Sequence, residues 1–202
     1  MNSKQILLSF QYLLHSLFFL GCSEPQSIQE VLQLNDVAQQ DSDGVQHCLK
    51  INNREYKEDC LLNLSKKFRG SNPQHSEKIC ALLHSTRKGE CFFQLAEYRD
   101  EQSYCEQAEQ FSRDCTLHLL SRALFRSKTT DYRTAKTILE EFSVSHESIE
   151  GQTVLYRHLL SQERPIPIQN CIDYPHPNAC RKAAKGLYLD RLRYAASQKK
   201  FP

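Results

Sequence analysis

Glycine is scarce in this chain of 202 residues: there are six, and past the leader each stands alone. Loops that cradle phosphate need clustered glycines for close backbone approach, so that class of site is excluded. The scarcity also argues against an all-β fold with many tight turns. No C-x-x-C, G-x-S-x-G or C-x-x-C-H motif is present, which removes the usual zinc couples, the nucleophile elbow and haem attachment. His146-Glu147 opens like a metalloprotease helix, but the text reads H-E-S-I-E and the second His is missing. No apolar run reaches the roughly 20 residues of a bilayer span; the longest, 6–20, is interrupted by Gln11 and His15.

What the chain does have is cysteine. Nine are many for a reducing compartment. Setting Cys22 aside leaves Cys48, Cys60, Cys80, Cys91, Cys105, Cys115, Cys171 and Cys180, an even number. In order they form four couples with 11, 10, 9 and 8 residues between partners. Two residues ten apart on one helix are about 15 Å apart, while a disulfide needs Cα atoms within about 7 Å. The intervening segments therefore read as bends: Asn52-Asn53, Gly89, the polar 109–114, and Pro175 with Pro177. The expected pairs are Cys48–Cys60, Cys80–Cys91, Cys105–Cys115 and Cys171–Cys180, each clamping a helical hairpin near its turn. Bridging between couples, as in the twin C-x9-C coiled-coil-helix proteins, is the rival pattern, and only Cys105–Cys115 has that spacing.

The segments after the second cysteines resemble one another: D-C-L-L-N-L (59–64), E-C-F-F-Q-L (90–95) and D-C-T-L-H-L (114–119). Leu61, Leu64 and Phe68 fall at helical spacing, as do Leu117, Leu120 and Leu124, and Cys91, Leu95 and Tyr98. Asn72-Pro73 and Ser27…Glu30 are helix-start signals. Residues 131–162 form a cysteine-free hairpin, with Tyr132, Ala135, Leu139 and Phe142 on one face and Leu155, Tyr156, Leu159 and Leu160 on the next. Its pattern resembles a tetratricopeptide hairpin in shape, without that family's Trp/Gly/Tyr signature. The segment 164–168 reads as a stiff connector. A last helix over about 178–198 has Cys180, Ala184, Leu187, Tyr188, Leu192 and Ala195 as its expected buried stripe. The expected fold is all-α: a short right-handed α-solenoid of about five antiparallel helical hairpins. Clamped hairpins span about 45–127, the cysteine-free one 131–162, and a last clamped one 168–198.

The stretch F-L-G-C (19–22) resembles the lipobox of bacterial lipoprotein signal peptides. The resemblance implies removal of residues 1–21, acylation of Cys22, a short tether over 22–26 and a helical domain from 27 to 202. Ser23, in place of Asp, implies outer-membrane rather than inner-membrane sorting. Ordinary cleavage after Ser23 and an uncleaved anchor are the alternatives. All three place the body outside the cytoplasm.

Charge is asymmetric. Residues 181–202 carry seven bases and one acid, a net +6, while 22–180 is −5. Arg181, Lys182, Lys185 and Arg193 are candidate contacts to an anionic envelope surface. Nucleic acid is not expected as a partner outside the cell. His118 follows Cys115 by three, a Cys/His dyad on paper, but a bridged sulfur is no nucleophile. Glu140-Glu141, and Glu97 with Asp100 and Glu101, read as solvated helix faces, and His47, His75 and His84 as surface or boundary residues. Asn63-Leu64-Ser65 is a glycosylation triplet whose Leu64 is expected to be buried. No catalytic residue, metal or cofactor is assigned. The expected role is a non-enzymatic, membrane-tethered lipoprotein presenting a helical-repeat surface to a protein partner. The alternatives are an envelope enzyme or enzyme accessory, and a released disulfide-rich inhibitor or toxin-like protein.

Overall fold

The computed structural model describes residues 26–40, 43–142, 148–162 and 168–198. Cys22, the leader and tether, most of the connector at 164–168, and the His146-Glu147 pair lie outside these residues. The fold is all-α, with no strand among the described residues. The chain forms two compact units, one ending at Cys60 and one beginning at Leu61.

The first unit contains α1 (Ile28–Gln40), α2 (Gly44–Leu49) and the start of α3 (Arg54–Phe68). Ser27 Oγ accepts from Glu30 N at 3.2 Å, so the expected cap forms. Gln26 ties its helix entrance to the loop after α2: its Nε2 donates to Lys50 O and its Oε1 accepts from Asn52 N at 2.7 Å. Asn53 then caps α3 by accepting from Tyr56 N. Val31, Ala38, Cys48, Ile51 and Cys60 form the buried apolar interior of this unit.

The second unit continues with α4 (Pro73–Ala81), α5 (Ser85–Arg99), α6 (Ser103–Glu106), α7 (Ser112–Ser127), α8 (Tyr132–Glu140), α9 (Ile149–Ser161) and α10 (Pro177–Gln198). Two 3-10 segments precede long helices: Glu109–Phe111 before α7 and Ile168–Asp173 before α10. Asn72 caps α4 by accepting from His75 N, with Pro73 at the first helical position.

All four cysteine couples are bonded as their spacing indicated, with Cα–Cα distances of 5.4–5.6 Å. The hairpins are lopsided. Each first cysteine sits in a short arm (α2, α4, α6 or the second 3-10 segment), and each second cysteine in a longer helix (α3, α5, α7 or α10). The last clamped hairpin thus lacks an α-helical first arm.

Gly89 differs from expectation. It lies inside α5 and is buried; the bend is at 82–84. A Cβ there would come within 2.5 Å of Ala108 O and 3.0 Å of the Phe111 ring. Its smallness admits the backbone of the next hairpin, so it serves close approach rather than a turn.

The long helices of the second unit lie side by side and run the same way. Glu97 faces His118 and Asp100 faces Arg126, aligning α5 with α7. Arg113 meets Glu150 at 2.7 Å, aligning the starts of α7 and α9. Arg157 pairs with Asp190, and Gln152 and Ala179 border one cavity, aligning α9 with α10. Leu120, Leu124, Ala135, Leu139, Leu155, Leu160 and the Cys171–Cys180 bridge form a core shared by α7, α8, α9 and α10.

The stripe foreseen on the last helix stops early. Cys180 and Ala184 are buried and Leu187 is half-buried, but Tyr188 is 54% and Leu192 49% exposed, and Ala195 is exposed too. The reason is mainly direction: Tyr188 and Leu192 lie off the buried stripe of α10, which at about 33 Å is also longer than α9 at about 20 Å.

Candidate functional site

Cys115 is bonded and buried, which leaves His118 without a thiolate partner. The His118 imidazole instead places Nε2 2.9 Å from Glu97 Oε1 across the α5–α7 seam, and its ring lies 5.7 Å from that of Phe93. The pair belongs to a ladder. His118, Arg122 and Arg126 follow one another at four-residue spacing on α7; Arg122 donates to Glu97 O, and Arg126 pairs with Asp100. Both side chains of the His118–Glu97 pair are about two-fifths exposed. Such surface pairs fix register and add little stability. Asp100 ends α5 in the left-handed region, φ 60°, which turns its carboxylate toward Arg126.

A polar cluster lies inside the hairpins. Ser76 Oγ donates to Ser65 O at 2.8 Å, and the Ser65 and Ser76 hydroxyls are 2.7 Å apart. Ser65 Oγ also touches both bridged sulfurs, 3.1 Å from Cys91 and 3.3 Å from Cys80. A bridged sulfur has no proton, so only the hydroxyls can donate here. All four residues are buried, and the arrangement reads as satisfied interior.

The cysteine-free hairpin is filled by aromatics. Tyr156 on α9 stacks on Tyr132 of α8 at 5.8 Å and meets Tyr174 at 5.1 Å. Burial pushes the Tyr156 phenol well above its ordinary value, against the opposing hydrogen bond that His176 N donates to its oxygen. His158, also buried, has Nε2 2.8 Å from Thr129 O. Neither Tyr174 nor His158 stood out in the sequence; the D-Y-P-H-P segment read only as a bend. An open cavity of about 240 Å³ lies between the starts of α9 and α10, bordered by Ile149, Gln152, His176 and Pro177.

The other sequence candidates stay apart. Glu140 and Glu141 are exposed, and Lys136 lies 3.4 Å from Glu140. Leu64 is buried and Asn63 exposed. Tyr98 is half-exposed, its ring lying over Gly70 and beneath the Arg69 guanidinium at 4.9 Å. No group of three His, Cys, Asp or Glu residues that could hold a metal occurs among the described residues.

Arg181, Lys182, Lys185 and Arg193 are all exposed on α10, and Arg193 lies 3.7 Å from Asp190. No described helix is long and apolar enough to cross a membrane. The four disulfides fit a location outside the cytoplasm. No family model, no curated protein and no solved structure matches the chain.

Proposed function

We propose that the chain is a membrane-tethered lipoprotein of a bacterial envelope, on the outer rather than the inner membrane, held by an acyl group on Cys22 and presenting a helical-repeat surface to a protein partner. The observation that carries the binding role is the set of long arms α5, α7, α9 and α10 lying side by side and running the same way. Repeated helical hairpins stacked in this manner bury a shared core and offer a continuous outer surface, the usual use of α-solenoids. The tether rests on F-L-G-C at 19–22 and on the disulfides, which suit an oxidising compartment.

Intact-mass analysis of the purified mature chain tests the tether. The expected species begins at Cys22 with a diacyl or triacyl increment and gains eight hydrogens on reduction. A species beginning at Glu24 without lipid would refute it and favour a released inhibitor or toxin-like protein. Crosslinking in intact cells followed by recovery of the tagged chain tests partner binding, and recovery of nothing above an untagged control counts against it.

The approach of Glu97 to His118 favours one second reading, an envelope enzyme or enzyme accessory using this pair in acid–base chemistry. Generic ester, peptide and glycoside substrates test it: turnover that disappears in His118→Ala would establish it, and unchanged background would dismiss it.

A further inference from the structure

Helix α10 is amphipathic in two directions. Over its first half Ala179, Cys180, Ala183, Ala184 and Leu187 face the core of the second unit. At 3.6 residues per turn, Leu189 and Leu192 point about half a turn away from the middle of that stripe, and Tyr188 about a third of a turn. They are 54%, 41% and 49% exposed. Arg181, Lys182 and Lys185 lie on the same outward side, one to three turns earlier, and Arg193 flanks it; all are exposed. The helix thus carries a second apolar strip on its outward side.

We propose that this outward face of α10 lies on an anionic lipid surface. Tyr188, Leu189 and Leu192 enter the boundary between headgroups and acyl chains, and Arg181, Lys182, Lys185 and Arg193 reach the headgroups on their flexible stems. Charge selects the occupant. α10 carries five basic residues against Asp190 alone, so pairing with a second copy would oppose two cationic faces. An exposed strip of apolar and basic side chains fits a fluid anionic plane, which supplies both chemistries at once. The inference does not rest on acylation of Cys22.

The chain contains no tryptophan, so one introduced indole reports locally, and vesicle binding through residues 6–20 does not register. The full chain is made as Leu192→Trp, with Leu189→Trp as a second reporter in case the first disturbs the helix, and Tyr98→Trp on α5 as control. With vesicles of phosphatidylcholine and phosphatidylglycerol, emission from the two α10 reporters shifts to the blue and is quenched by brominated acyl chains, while the control stays unchanged. Lys182→Gln, Lys185→Gln and Arg193→Gln together raise the lipid concentration needed by on the order of a hundredfold. Four outcomes overturn the proposal: no shift at either α10 position; an equal shift with neutral vesicles; a shift caused by soluble polyglutamate and not by vesicles, which assigns the face to an acidic protein; or a concentration-dependent shift without lipid, which assigns it to a second copy.

Discussion

Two kinds of hairpin sit in the second unit, and they are held in different ways. In the clamped ones, the long arms α5 and α7 begin with no side-chain cap, and Cys91 and Cys115 bond back to the preceding short arm instead. In the cysteine-free hairpin both helices are capped: Asp131 accepts from Thr134 N, and Ser148 accepts from Gly151 N at 3.1 Å. Its interior carries the tyrosine cluster, and Tyr156 is among the largest fully buried side chains. At the starts of α5 and α7 a local bridge thus stands where a side-chain cap would. Where the bridge is absent, capping and aromatic packing hold the bend.

The comparison can be broken at its strongest point first. Tyr156→Ala empties the cluster and is expected to cost about 3–5 kcal/mol, as for other large buried aromatics; urea unfolding followed by circular dichroism measures it. If the cost is under about 1 kcal/mol, the aromatic account of the cysteine-free hairpin fails. Next, Cys80→Ser with Cys91→Ser removes a clamp from a loop of about ten residues, worth roughly 2.5–3 kcal/mol in the chain-entropy model. Amide exchange should then quicken at the start of α5, where no cap remains, more than at the start of α8.

Gly89→Ala comes third, at about 1–3 kcal/mol. The obstacle is the backbone carbonyl of Ala108, which cannot swing aside like a side chain. Ser148→Ala should cost about 1 kcal/mol by removing the cap of α9, with Ser148→Asp retaining it. A loss in the alanine variant that aspartate does not rescue would show that the hydroxyl matters for another reason.

The smallest effect is the dependence on acid. The hydrogen bonds from Thr134 lower the Asp131 carboxyl below its ordinary value. Its contribution is present above the unfolded carboxylate value and is lost as pH falls through the lowered folded one. Asp131→Asn should flatten that part of the pH–stability curve. At the alkaline end the sign reverses. The raised Tyr156 phenol contributes fully below pH 10 and loses its contribution as pH rises from there through its folded value, a loss that Tyr156→Phe should abolish.

The sequence made the four bridges legible because spacing and geometry constrain them jointly: couples too distant along one helix, with bend residues between, leave little else for the sulfurs to do. Helical periodicity likewise exposed Leu120, Leu124, Ala135 and Leu139. It could not say which side of α10 a partner covers, and so the stripe was carried past Leu187 to Tyr188, Leu192 and Ala195. Nor does a lone glycine announce its reason. Gly89 reads the same whether it turns the chain or admits Ala108, and only the neighbour decides. The contact of Glu97 with His118 was equally hidden, since it joins two repeats rather than lying within one.

One consequence of the bridges concerns biogenesis. Each links a cysteine to the next one along, never more than 12 positions away. A chain threaded from its N-terminus into an oxidising space would therefore present the thiols in the order in which they must join. With the thiol of Cys22 taken up by the proposed acyl group, pairing on first encounter yields the native pattern, and no step of reduction and reshuffling is needed to reach it.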